Sequence, residues 1–129
     1  MRYFFTLSII CLLSFSCSRE GTGGKANVIV YPSHHAAPII NHVGYPDTVY
    51  VKFNTTDLPG TKPSDFDVYF VGDPRTDYIN CTNLKWGDYY FYVAGFDSSI
   101  MRRVIGGAHI KIRQRDKRSI QNANISVLE

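Results

Sequence analysis

Four histidines and a run of aspartates are the side chains whose types and spacing could do chemistry in this chain. His34 and His35 are adjacent, His42 follows seven residues on, and His109 lies far downstream. Imidazole nitrogens suit zinc and copper, so His34, His35 and His42, with Cys81 as a softer partner, form a candidate site for either ion. Adjacent residues on a strand point to opposite faces, so His34 and His35 can share one ion only where the chain turns. Pro32 and Pro38 bracket the pair and make a loop there reasonable. Asp57, Asp65, Asp67, Asp73 and Asp77 fall within 21 residues. Hard oxygen donors gathered in loops are what calcium takes, and Asp65 and Asp67 head that set. The spacing matches no EF-hand loop, and Asp is equally the ordinary turn residue. Solvated loop histidines and turn aspartates are the competing reading, so no cofactor is expected. Nucleophilic catalysis has less support. The chain has no Gly-x-Ser-x-Gly elbow, and Cys81 has no obvious histidine partner in sequence. The expectation is a protein that is not an enzyme.

Cys17 carries chemistry of another kind. Met1-Arg2, the apolar run Tyr3–Phe15 and the small residue Ser16 precede it. The run is too short for a bilayer core, which needs roughly 20 residues, so residues 1–16 read as a cleaved export signal. Ser16 before Cys17 fits a lipid-attachment box, although Leu13 stands one position earlier than such a box prefers. Ser14-Phe15-Ser16 also fits ordinary small-x-small cleavage, which is the alternative. A triacylated Cys17 would hold the chain firmly to the outer membrane, on its periplasmic face or at the cell surface. Residues 17–25 then read as the lipidated cysteine and a flexible tether, since Ser18–Lys25 has three glycines and no large apolar residue. Cys11 leaves with the signal, so Cys81 has no disulfide partner and reads as a small buried residue.

Residues 26–129 must supply the element framework. Lys25–Tyr31 is rich in β-branched residues, and Thr48–Asn54 alternates apolar and polar. Phe66–Val71, Tyr78–Cys81 and Asp88–Ala94 follow, the last apolar on both faces as a central strand would be. Val104–Ile105 and Ala108–Arg113 straddle Gly106-Gly107, which suggests a bulge or break. Ser119–Leu128 closes the chain, and Leu58–Asp65 has room for at most one helical turn. About seven short strands between Gly, Pro and Asp turns predict an all-β protein, a single Greek-key β-sandwich.

Leu84-Lys85-Trp86-Gly87-Asp88-Tyr89 sharpens that expectation. Leu84, Gly87 and Tyr89 at this spacing fit a tyrosine corner, in which the phenol bonds back to upstream backbone at a crossing between sheets. The mature stretch resembles a family of small Bacteroidota lipoproteins, similar to the prealbumin-like, carboxypeptidase-regulatory and collagen-adhesin B-type sandwiches. The resemblance rests on Gly23-Gly24-Lys25-Ala26, His34-His35, Val49-Tyr50-Val51-Lys52-Phe53-Asn54, Leu84 through Tyr92, Gly95-Phe96-Asp97 and Val104-Ile105-Gly106-Gly107. It implies fold and location rather than activity. Prealbumin-like enzymes that hydrolyse 5-hydroxyisourate end in Tyr-Arg-Gly-Ser, whereas Ser126-Val127-Leu128-Glu129 stands here, so that activity is not carried over.

Charge and aromatic placement bound the partners. Asp47 to Asp97 holds eight Asp and four Lys or Arg, whereas Arg102 to Arg118 holds seven Lys or Arg and one acid. Such a basic stretch suits lipid headgroups or acidic polysaccharide. No nucleic-acid module accompanies it, so nucleic acid is not an expected partner. Tyr90 and Tyr92 share a strand face opposite Tyr89 and Phe91, and with Trp86 they offer a platform for a glycan or a protein. Asp47-Thr48-Val49 resembles the acceptor pattern of Bacteroidota O-glycosylation, making Thr48 a candidate site. The sequence therefore predicts a lipid-anchored envelope protein acting as a non-catalytic binding or structural module, with a metal-binding envelope domain as the alternative. Mass spectrometry of the membrane fraction should find a mature N-terminal Cys17 carrying acyl chains; an unmodified cysteine there excludes the anchor.

Overall fold

The computed structural model describes residues 19–129, so Cys17 and Ser18 lie outside the described residues. The described residues are all-β and form two sheets. In the first sheet, β1 (Thr22–His34) is bonded along both edges. On one side it runs antiparallel to β5 (Ile79–Leu84) and, at its far end, to the two-residue β2 (Ala37–Pro38). On the other it runs parallel to β8 (Ile120–Ser126), from Asn27↔Ile120 to Ser33↔Ser126. The second sheet has the order β4-β3-β6-β7. It comprises β3 (Thr48–Phe53), β4 (Val68–Val71), β6 (Gly87–Asp97) and β7 (Arg102–Ile112).

The alternating sequences determine which face each strand buries. Val49 and Val51 of β3 turn inward, and Thr48, Tyr50 and Lys52 turn outward. Tyr89, Phe91 and Val93 of β6 meet them, together with Val28, Val30, Ile79, Cys81 and Leu84 from the first sheet. One core therefore lies between two layers, as amphipathic sheets require. Each fully buried Val, Leu, Ile or Phe adds roughly 1.5–3 kcal/mol relative to exposure. The Leu58–Asp65 segment contributes one 3-10 turn, Pro63–Asp65.

Two local expectations change. Gly106 and Gly107 sit inside an unbroken β7, whose register with β6 runs from Gly87↔Ile112 to Asp97↔Arg102. They permit close approach rather than a bulge: a Cβ on Gly106 would collide with the carbonyl oxygen of Ser126. The irregularity lies instead in β1, where both Thr22 and Ala26 pair with Leu84. Residues 22–25, read above as tether, thus belong to the first strand. Glu20 is already buried, and its Oε1 accepts the Asp88 amide at 3.2 Å. A glycine-rich composition allowed flexibility, but pairing with β5 and docking against Tyr89 order the segment.

Tyr89 makes that docking. Its hydroxyl donates to the Lys85 carbonyl, four residues upstream, at 2.6 Å, and accepts the Gly21 amide at 2.9 Å. Gly87 between them has φ of +140°, a conformation that strains any residue with a Cβ, and a Cβ there would also crowd the Glu20 side chain. Tyr89→Phe strands the buried Gly21 amide and the part-buried Lys85 carbonyl. It should lower unfolding free energy by about 1–3 kcal/mol, read by urea denaturation; an unchanged midpoint would remove the hydroxyl from the account of stability.

Candidate functional site

Outward residues of the second sheet build an aromatic surface. Tyr90 and Tyr92 of β6 lie on the face opposite Tyr89 and Phe91, and Tyr50 of β3 stands beside Tyr92 with ring centroids 6.5 Å apart. Phe66, brought over the sheet by the segment before β4, stacks on Tyr92 at 5.5 Å and 18° and leaves it 6% exposed. Tyr69, 66% exposed, extends the cluster on β4, 6.2 Å from Tyr50. Beside this cluster a groove of about 750 Å³ opens between the 45–48 segment, Thr61 and Pro63, and the β6–β7 hairpin. Tyr45, Tyr50, Tyr92, Phe96 and Met101 give it apolar walls, and Arg103 supplies a positive charge. Among the described residues no acidic side chain lines it. Thr48, the candidate glycosylation residue, is half-buried on its wall rather than in an exposed loop.

A buried polar node holds the groove's margin. Asn41 donates through Nδ2 to the Thr76 and Tyr78 carbonyls, each at 3.0 Å, and its Oδ1 accepts the Asp47 amide at 2.9 Å. Asp47 accepts the Phe96 amide at 3.1 Å through Oδ1, whereas its Oδ2 is buried without a partner. Loss of solvent pushes its carboxyl up to about 6, against smaller opposing contributions from the Phe96 amide and His42. Sequence reading missed Asn41 and Asp47 because turn-rich composition makes such residues ordinary there. Gly72 and Gly95 were the available signals, since a Cβ on either would collide with Asn41 or Asp47.

The metal candidates separate. Asp67 accepts the Phe53 amide at 2.8 Å and faces Lys52 at 3.4 Å, and Asp65 accepts the Lys62 amide at 3.0 Å. Both serve local backbone, and neither joins a group of three ligating side chains among the described residues. His42 is a correction too: its ring stacks on Tyr45 at 4.8 Å, apart from the other two histidines. His34 and His35 do come together, with ring centroids 4.1 Å apart. His35 and Ala36, at φ of 49° and 64°, form the tight turn between β1 and β2 and bring the second ring back beside the first. His34 is buried, and its Nδ1 lies 2.7 Å from Asp97 Oδ2. The Asp97 carboxyl is itself bonded by the Ser99 hydroxyl at 2.6 Å and amide at 2.9 Å. Ser99 and then His34 hold it down at about 2. Cys81 is wholly buried, and desolvation pushes its thiol well above the usual range, so it offers no thiolate for ligation or attack.

A basic surface gathers where the described chain begins. The Arg19 guanidinium lies 4.4 Å above the Trp86 ring, and Lys25, Lys85, Lys117 and Arg118 line the same shallow depression. The basic stretch from Arg102 to Arg118 is therefore divided, Arg103 going to the groove and Lys117 and Arg118 to Trp86. Comparison with protein-family models, curated proteins and solved structures finds no match to this chain.

The Asp47 node has a pH signature of defined sign. Its carboxyl rises from an ordinary 3.8 to about 6, so the folded protein holds this proton more tightly than the unfolded chain. The resulting stability is full below about pH 4 and is lost as pH rises through 6, by up to about 3 kcal/mol. Asp47→Asn should flatten that part of the stability–pH curve and raise the melting temperature at pH 7. A variant curve that parallels the wild type would refute the assignment.

Proposed function

We propose that this chain is a lipid-anchored, non-catalytic module of the cell envelope whose groove binds an acidic glycan. The observation that carries the reading is the groove, in which Tyr45, Tyr50, Tyr92 and Phe96 surround a space of about 750 Å³ with Arg103 as its charge. Aromatic faces stack on the C–H faces of sugar rings, and phenol and threonine hydroxyls bond to theirs. The Arg103 guanidinium, with no acidic neighbour on the lining among the described residues, favours a carboxylated or sulfated sugar over a neutral one.

The basic surface around Trp86 supports attachment to a membrane. Cys17 precedes by two residues the Arg19–Trp86 contact and its four further cations. An indole among lysines and arginines suits the headgroup region of an anionic membrane, so this surface would rest against the bilayer that the acyl chains enter. The sandwich would be of the Greek-key, prealbumin-like type, a reading favoured by two four-stranded sheets joined by repeated crossings and by the Tyr89 joint.

Calorimetric titration with uronic-acid and sulfated oligosaccharides, and with neutral ones of equal length, tests the glycan. Tyr50 points outward from the core, so Tyr50→Ala should leave the fold intact and weaken binding about tenfold, the equivalent of ~1.4 kcal/mol. Arg103→Ala should abolish the preference for acidic over neutral sugars. Equal affinity in both variants, or no saturable binding of any acidic saccharide, would overturn the proposal.

A further inference from the structure

We infer that His34, His35 and Glu129 form a binding site for one divalent transition-metal ion, zinc foremost, with Asp97 as the group that orients His34. One ring nitrogen of each histidine and a carboxylate oxygen of Glu129 all lie within 4.8 Å of one another. Three pieces of backbone bring them there. The end of β1 supplies His34, and the left-handed His35-Ala36 turn returns His35 to the same side. The segment after β8 supplies Glu129, held by the Val127 amide on the Ser33 carbonyl at 2.9 Å and by paired Leu128–Ile105 bonds at 2.8 Å.

The second observation is His34 itself. It is 4% exposed, its Nδ1 is taken by Asp97 at 2.7 Å, and its Nε2 is buried with no hydrogen-bond partner. A structural histidine at this depth ordinarily satisfies both nitrogens, because an unpaired buried polar atom is destabilising. A histidine that gives one nitrogen to a carboxylate and keeps the other bare has the arrangement of a metal ligand. The carboxylate fixes the tautomer and the orientation of the ring. Asp97 is suited to that role, since Ser99 pins its other oxygen through both amide and hydroxyl.

The donor set selects the ion. Two imidazoles and one carboxylate suit zinc, with copper as a competitor of higher intrinsic affinity, whereas calcium and magnesium prefer oxygen alone. Asp97 and Glu129 contribute two negative charges against one from Arg102, whose Nη1 lies 2.8 Å from Glu129 Oε2, so the surroundings attract a cation. His35 and Glu129 are exposed, and the Arg102 contact uses one carboxylate oxygen of Glu129, so the other can turn toward a small ion. Three protein ligands leave a coordination position open to water or to a donor from a partner.

The test uses the untagged full chain, stripped with chelator, titrated with zinc chloride and with calcium and magnesium chloride as controls. One zinc ion should bind per chain and raise the melting temperature, with no response to calcium or magnesium, and Co²⁺ should show the visible absorption of a low-symmetry nitrogen–oxygen site. His35→Ala and Glu129→Gln alter exposed side chains, so both should fold as the wild type does and bind zinc at least tenfold more weakly. Asp97→Asn should weaken binding by ~10–100-fold while retaining the one-to-one stoichiometry. Absence of saturable zinc binding overturns the inference. Unchanged affinity in both His35→Ala and Glu129→Gln does so equally, because the ion would then sit elsewhere. Tyr50→Ala should leave the zinc affinity unaltered, so this result and that of the glycan titration can fail independently.

Discussion

Hydrogen bonding along both edges of β1 is the constraint from which the remaining structure follows. Antiparallel pairing with β5 and parallel pairing with β8 place this strand inside its sheet. Its alternate residues Ala26, Val28 and Val30 then enter the core without exposing an edge. The two ends of the strand inherit their surroundings from that pairing. At the start, Gly21 is held by Tyr89 and the chain emerges beside Trp86 and its cations. At the finish, His34 is delivered beneath Asp97, and β8 runs alongside far enough to bring Glu129 to the same place.

The second sheet divides its labour by face. Inward residues of β3, β6 and β7 complete the core, while outward residues of β3 and β6 form the tyrosine-rich wall of the groove. Buried polar groups connect these layers to the loops. Asn41 and Asp47 join the chain before β3 to the turn after β4 and to the end of β6. His34 and Asp97 join the end of β1 to the end of β6, and so one sheet to the other. Each link is directional, so it orients loops that apolar packing alone would leave free to slide.

Much of this was legible in the chain. Period-two alternation in Thr48–Phe53 and the apolar run Asp88–Ala94 marked their strands, because the side chains of a sheet must sort by face. Tyr89 was legible because its bond to Lys85 spans only four residues. The Gly106-Gly107 pair misled, since the backbone it admits belongs to Ser126, 20 residues away in sequence from Gly106. The glycines near the start misled for a similar reason. Their composition describes an isolated segment, whereas the pairing of residues 22–26 with Leu84 is long-range.

The candidate sites divide in the same way. Sequence alone determined the strand faces, the placing of Tyr90 and Tyr92 on one face and the adjacency of His34 and His35. All of these depend on near neighbours and on the two-residue period of a strand. Only the tertiary structure decided that a left-handed turn turns that adjacency into convergence, that Glu129 joins the pair and that Asp97 bonds His34. It also parted His42, Asp65 and Asp67 from it. Residues 63 and 95 positions from His34 in the chain meet it because sheets pair strands without regard to sequence distance, and no local pattern records which strands those will be.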